Sequence, residues 1–549
     1  MLPTKLIAVA SFCLAAGILP ALAADQPQWG QAWSRNMISA ERDLPDSFDP
    51  KTGANIKWVA KLGTETHSTP IIANGRVYIG TNNQEPRDPK HQGDRGVLMC
   101  FDEKTGNFLW QLVAPKREED PYFDWPKTGI SSPVTVEGDR VYLVGNRNEV
   151  LCLDARGMTN GNDGPFLDEA AYMSPPTNSG APPMYVIGAE IAPESHRPPP
   201  KADQLKPGPT DADILWTYDL VGEAGIWPHD GAHGSVLIHG DYVYVNTGNG
   251  VDNTHKRIRR PDAPSLIVLD KRTGKLIARD DEHIGPNVFH ATWCSPSLAE
   301  VNGRPLIFFA GANGVVYAFE PFTGSSRGNE AHSKTQASQS LLKSAATGSV
   351  ATLKKVFQFD FDPTAPKENV HKFNSNRREG PSNIYGMPVF HENRLYVAGG
   401  GDIWWGKNEA WLKCIDATKT GDITTNGLVW SYPLEKHVMS TVAVQEGSSP
   451  IADACFIAWM PKPASRCDPR NQRREVWASP YVADGKVYLG TRSGNFYTFA
   501  AQREKKLLSS LELGTPISAT TIAANGVLYI ATMSDLYAVQ SNGKSKAEP

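Results

Sequence analysis

The chain has 549 residues, 40% of them hydrophobic, and a formal net charge of −4. That composition gives a globular protein with a large core and excludes an intrinsically disordered chain. The faintly acidic balance lacks the basic footprint of a nucleic-acid-binding protein, so no nucleic-acid partner is expected, and the short run Lys256–Arg260 reads as a solvated loop.

Residues 1–23 read as a secretory signal: Lys5, an apolar run from Leu6 to Leu19, and the small-residue site Ala21-Leu22-Ala23. Cleavage near Ala23 predicts a periplasmic or secreted protein. Cys13 follows the bulky Phe12, which argues against lipid attachment. No later stretch is apolar for the ~18 residues that a transmembrane helix needs. Residues 24–47 form an N-terminal arm.

From residue 48 to 541 two patterns alternate. The first is a hairpin, apolar strand, Asn-Gly or Asp-Gly turn, then apolar-Tyr-apolar. It runs through 71–81, 134–145, 236–248, 298–311, 389–400, 481–491 and 521–532. The second is an apolar-Asp-x-x-Thr-Gly tag followed by Trp or another apolar residue, best seen from Phe101 through Gly106 to Trp110. Four short strands per unit make a propeller blade. Third strands fall at Phe101, Leu153, Leu269, Phe319, Ile415, Phe499 and Val539, and spacing demands one more between Ile415 and Phe499. The expected fold is therefore all-β: an eight-bladed propeller of four-stranded blades. The last copy has no fourth strand, while Phe48–Gly53 and Trp58 supply a tag and strand without a blade. The N-terminal strand is expected to close the ring.

Segments 157–213 and 325–380 read as insertions, and 542–549 as a disordered tail. Residues 446–474 carry neither hairpin nor tag. Codons able to encode Cys455–Cys467 can be read two bases later as Leu-His-Arg-Leu-Asp-Ala-Glu-Thr-Gly-Lys-Pro-Leu, a complete tag. This blade is expected to be irregular or scrambled by compensating frameshifts, which the gene's DNA would decide. Cys100, Cys152 and Cys414 share one register in different blades, too far apart to bridge, and read as buried small hydrophobes.

The repeat around Phe101–Trp110 resembles the pyrroloquinoline-quinone (PQQ)-like propeller repeat, found in quinoprotein alcohol dehydrogenases and in the BamB outer-membrane assembly factor. The resemblance implies two functions. One is a non-catalytic exported scaffold, monomeric, that binds envelope proteins or a small ligand. The alternative is a PQQ-dependent quinoprotein dehydrogenase acting on alcohols or sugars. Such dehydrogenases use a vicinal cysteine pair, calcium held by carboxylate and amide oxygens, and a catalytic Asp. This sequence has no Cys-Cys and no haem-attachment motif. The scaffold reading is preferred, whether the chain is an enzyme stays open, and PQQ with calcium is left without support from a cysteine pair.

Ligand-binding candidates precede the first strand of each blade, where loops gather at one end of the channel. They are Trp227, His229, Asp230, His233, His290, Trp293 and Tyr385, with His67, Asn383, His437 and Trp477 at comparable points. His229, Asp230 and His233 have ligand chemistry. The sequence favours their filling the channel, and no metal is assigned. The tryptophans offer stacking faces for a sugar or quinone.

Overall fold

Two-residue turns set the hairpins. At Asn74-Gly75, Asp484-Gly485 and Asn525-Gly526 both residues adopt positive φ, between 53° and 73°. Mirror-image turns of this kind match the twist of paired strands, and Asn, Asp and Gly tolerate them best. The tags form a second fixed corner. Asp102 Oδ1 accepts from the Thr105 N–H (2.8 Å) and hydroxyl (2.7 Å), and the Gly106 N–H donates to the Asp102 carbonyl (2.8 Å). Asp49 and Asp270 repeat the arrangement.

The computed structural model describes residues 24–541 except 118–122, 176–200, 232, 325–349, 435–438, 446–453, 457–475 and 503. It is a β-propeller of seven blades, not the eight expected. The first blade comprises Ile71–Ala73, Arg76–Asn82, Arg95–Asp102 and Phe108–Pro115. The second comprises Thr135–Glu137, Arg140–Val144, Glu149–Asp154 and Ile214–Asp219. The third begins at Leu237–His239, the fourth at Ser297–Val301, the fifth at Val389–His391, the sixth at Tyr481–Ala483 and the seventh at Ile522–Ala524. Each anticipated third strand is the third strand of one of these sheets.

Two blades depart from the four-strand rule. The third gains a parallel fifth strand, Ala351–Thr352, and the fourth gains Gly421–Asp422. The fourth strand of the fourth blade is Lys355–Asp360, so the segment 325–380 also supplies blade strands. Between the fifth and sixth blades only a two-stranded sheet pairs Ala443–Gln445 with Ala454–Phe456. That pair occupies the place of the expected eighth blade; the remainder of 446–474 lies outside the described residues, as do the signal and tail segments. Ile56–Lys61 pairs antiparallel with Asp535–Val539 and completes the seventh blade.

Tryptophan joins neighbouring blades. The Trp58, Trp110 and Trp216 rings lie over Gly106, Gly157 and Gly274, where an added Cβ would sit 2.5–2.7 Å from the indole. Each indole N–H donates to the next blade's turn, at Glu103, Ala155 and Lys271 (3.0–3.1 Å). Glycine is required there by contact and by positive φ alike. Trp110→Phe should cost about 2–3 kcal/mol, from lost ring area and an unpartnered Ala155 carbonyl. Urea unfolding would measure it, and an unchanged midpoint would show that the docking contributes nothing.

The N-terminal arm lies along the innermost strands. Carbonyls of Gln26, Pro27, Trp33, Ser34 and Met37 accept from the N–H groups of Ile72, Val136, Leu298, Phe390 and Val482. Asn36 Oδ1 accepts from Val444 N–H (2.8 Å). In every case the donor is the second residue of a first strand. An inner strand has no sheet neighbour on that side, and its buried amides need partners. Arg35, fully buried, extends the arm's contacts to Ser235 and Val236 beside the third blade.

Cys100, Cys152, Cys294 and Cys414 are free and buried. No helix among the described residues is long and apolar enough to cross a membrane.

Candidate functional site

His67, His233, Trp293, Tyr385 and Trp477 each stand four residues before a first strand, those beginning at Ile71, Leu237, Ser297, Val389 and Tyr481. Equal offset in a ring of blades brings these segments together at one end of the axis. The rings are in contact: Trp293–Tyr385 centroids lie 4.9 Å apart, Trp293–Trp404 5.8 Å, Trp404–Trp477 6.3 Å and Trp477–His67 5.7 Å.

Beside this aromatic lining sits a polar cluster. His229, His255 and His290 place one ring nitrogen each within 4.8 Å of the others. His229 Nε2 faces His255 Nε2 at 3.1 Å. Asp230 lies between, with Oδ1 3.7 Å from His229 Nε2 and Oδ2 3.7 Å from His290 Nε2. Asp230 adopts a left-handed φ of 61°, a conformation that non-glycine residues hold mainly where surroundings enforce it.

The far nitrogens are anchored. His229 Nδ1 lies 2.9 Å from the Val251 carbonyl, which only accepts, so Nδ1 carries the proton and Nε2 a lone pair. His290 Nδ1 donates to Asp402 Oδ2 at 2.9 Å, while its buried Nε2 has no hydrogen-bond partner among the described residues. Asp402 is saturated. Oδ2 also accepts from the Tyr385 hydroxyl, and Oδ1 accepts from the Trp404 and Trp405 N–H groups at 2.9 and 2.6 Å. Asn383 Nδ2 donates to the Tyr385 oxygen at 3.0 Å.

Charge follows from this wiring. Burial, then neighbouring His290, pushes His255 down to about 4, and burial with both other rings holds His229 far below the ordinary imidazole range. Burial alone would lower His290 as well, but the Asp402 carboxylate, by charge and hydrogen bond, outweighs it and leaves His290 raised. Asp402 is held low: burial opposes, and His290, Tyr385 and the Trp405 amide overcome it. Burial pushes Asp230 up to about 6. The cluster thus presents neutral imidazole lone pairs around one anchored ion pair.

Five of the sequence candidates, His229, Asp230, His290, Trp293 and Tyr385, come together here. His233 lies one step out, against Trp293 (5.5 Å) and donating to the Asp230 carbonyl at 2.8 Å. Trp227 is separate, edge-on to Phe123 at 4.7 Å and under Arg259 at 5.5 Å. His437 lies outside the described residues. Sequence reasoning missed His255, Asp402, Trp404 and Trp405. His255 adjoins the basic run taken for a solvated loop. Asp402 and the tryptophan pair lie between strands of the fifth blade, and Gly399-Gly-Gly-Asp-Ile-Trp-Trp-Gly406 was their available signal.

Residues 94–159 match the family model described as outer membrane protein assembly factor BamB. The matched stretch carries the repeat and supports a PQQ-like β-propeller. Among solved structures the chain is similar to BamB from Moraxella catarrhalis, at 11% identity, TM-score 0.45, 89% of this chain and 98% of that one. It is also similar to quinohemoprotein alcohol dehydrogenase from Comamonas testosteroni, at 11% identity, TM-score 0.44, 96% and 82% covered. A europium-containing methanol dehydrogenase aligns at 11% identity and TM-score 0.41, with 93% and 89% covered. Likenesses this distant say nothing of activity. No curated protein matches the chain.

Proposed function

We propose that this chain is an exported, non-catalytic binding propeller whose ligand end is the histidine–tryptophan cluster, and that the cluster holds a nitrogen-seeking transition ion, zinc foremost. The observation that carries this reading is the convergence of His229, His255 and His290, one ring nitrogen each within 4.8 Å of the others. The three imidazoles supply a set of nitrogen donors, with the Asp230 carboxylate beside two of them. With metal–ligand bonds of about 2.1 Å, tetrahedral donors stand roughly 3.4 Å apart, and the His229 and His255 nitrogens stand at 3.1 Å. The two His–oxygen anchors, Val251 and Asp402, are what metal-ligating imidazoles use to fix their tautomers.

The donors do not suit PQQ with calcium. Calcium takes about six to eight oxygens. Asp402 has all its acceptor positions in use, leaving Asp230 and the unpartnered Oδ1 of Asn383. Lys407, on the same inter-strand loop as Asp402, is paired with Asp362 at 2.5 Å and is not free to serve an anionic cofactor.

Chelator-stripped protein should take up one zinc per chain through gel filtration, measured by elemental analysis. His255→Ala should reduce retention to background, and His283→Ala, altering an exposed histidine, should not. PQQ with calcium should leave no quinone absorbance on the protein. Zinc-free wild type would remove the metal, and PQQ uptake with dye-linked alcohol oxidation would replace the binding reading by the dehydrogenase.

A further inference from the structure

The second blade carries a different unassigned cluster. Asp154 ends its third strand, Asp213 immediately precedes its fourth, and Asp163 lies on the loop leaving the tag. Their carboxylate oxygens stand within 4.8 Å of one another. Asp213 is completely buried, and neither of its oxygens makes a hydrogen bond of good geometry among the described residues, the Asp163 N–H being a weak donor nearby. Glu169, also buried, faces the same place, with its oxygens taken by Ile214 N–H (3.2 Å) and Asn162 Nδ2 (2.6 Å). No lysine, arginine or histidine among the described residues pairs with any of these four acids.

Sequence explains why Asp154 keeps a free oxygen; Asp163 Oδ2 accepts from Asn160 Nδ2 at 3.0 Å. In the tags of Asp102, Asp270 and Asp416 a Thr satisfies the Asp carboxylate twice over. Here the tag reads Asp154-Ala-Arg-Gly157, the Thr is missing, and Asp154 receives only the Arg156 N–H at 2.6 Å. Gly161, at φ 102°, then turns the chain back so that Asp163 returns to Asp213. Burial, with Glu169, Asp163 and Asp154 adding to it and only the Asp163 backbone opposing, pushes the Asp213 carboxyl up to about 6. An ionised carboxylate buried without a counter-charge is among the costliest features a fold can hold. A cation removes that cost.

We propose that Asp154, Asp163 and Asp213 bind a hard, oxygen-seeking divalent cation, calcium, which staples the loop after the second tag to its blade. Three carboxylates and no nitrogen or sulfur suit calcium and exclude the soft-metal class. Water and backbone carbonyls would complete the shell. The site is independent of the histidine cluster, so either can fail without the other.

The test uses the mature chain stripped with a chelator. Calcium chloride should raise the thermal midpoint, and terbium should luminesce on tryptophan excitation, since the Trp110 ring lies against Gly157 beside Asp154. Calcium should quench that emission. Asp213→Asn should abolish both responses, and without calcium at neutral pH it should be at least as stable as wild type. A merely structural Asp213 would instead make Asp213→Asn unstable with or without calcium. Asp163→Asn, altering an exposed residue, should weaken both responses without touching the core. The proposal is overturned by a stripped wild type that shows neither response, or by variants that keep them.

Discussion

Arg35→Met should bring the protein close to unfolding, with a loss on the order of 4–6 kcal/mol. Arg35 is fully buried and faces no carboxylate. Its guanidinium donates to the carbonyls of Pro296 (3.0 Å), Trp29 (3.0 Å), Ser235 (3.2 Å) and Val236 (2.8 Å), and to the Ser235 hydroxyl (3.3 Å). Burial lowers its pKa to about 9, so it stays charged at neutral pH. A buried ion pair can be replaced by apolar residues with little loss, because both charges leave together. That escape is closed here. The partners are backbone carbonyls, which no side-chain substitution removes, and each one orphaned costs about 1–3 kcal/mol. Only Val236 keeps another donor, the Thr135 hydroxyl at 2.8 Å. Lysine should rescue little, since one ammonium cannot reach carbonyls on the arm and on the third and fourth blades at once. Urea unfolding decides the matter: a shift below about 1 kcal/mol would mean that the arm is dispensable.

Arg35 also marks the limit of what could be read from the sequence. Blade strands were legible because each writes its own turn: Asn-Gly at the hairpin, Asp-x-x-Thr-Gly at the corner, Trp on the outer strand. Those are local rules. The arm obeys none of them. Its backbone serves five inner strands that are distant in sequence, and the Asn36 side chain a sixth, while residues such as Trp33 and Arg35 adopt left-handed φ (67° and 60°) with no glycine to announce it. The blade count failed for a related reason. Spacing measures how much chain is present between Ile415 and Phe499, and here that length yields a two-stranded sheet in place of a four-stranded blade. At the candidate site, residues preceding first strands were found because the ring repeats their position. His255 and Asp402 come from loops unique to one blade, and only three-dimensional closure brings them to His229 and His290.

Asp402→Asn should weaken zinc binding about 10–100-fold while leaving the fold intact. The amide keeps the volume of the carboxylate. Its oxygen can still accept from the Trp404 and Trp405 N–H groups, which fixes that side. The amide nitrogen then faces the Tyr385 hydroxyl and His290 Nδ1, where the carboxylate had accepted from both. His290 can meet a donor only by presenting a lone pair at Nδ1, so its proton moves to Nε2, the atom needed for the metal. The loss therefore arises through the tautomer of a residue that is itself unchanged. Competition with a zinc chelator would read the affinity, and wild-type affinity in the variant would show that Asp402 does not set the ring. The zinc-free protein supplies a second readout. Asp402 is lowered from 3.8, so its contribution is present above that value and lost as pH falls through the folded pKa. His290 is raised from 6.5, so its contribution is present below that value and lost as pH rises through the folded pKa. Wild type should exceed the variant in stability most between about pH 4 and 6.5, with the advantage shrinking on either side. A difference flat across that range would place the two side chains in contact without forming an ion pair.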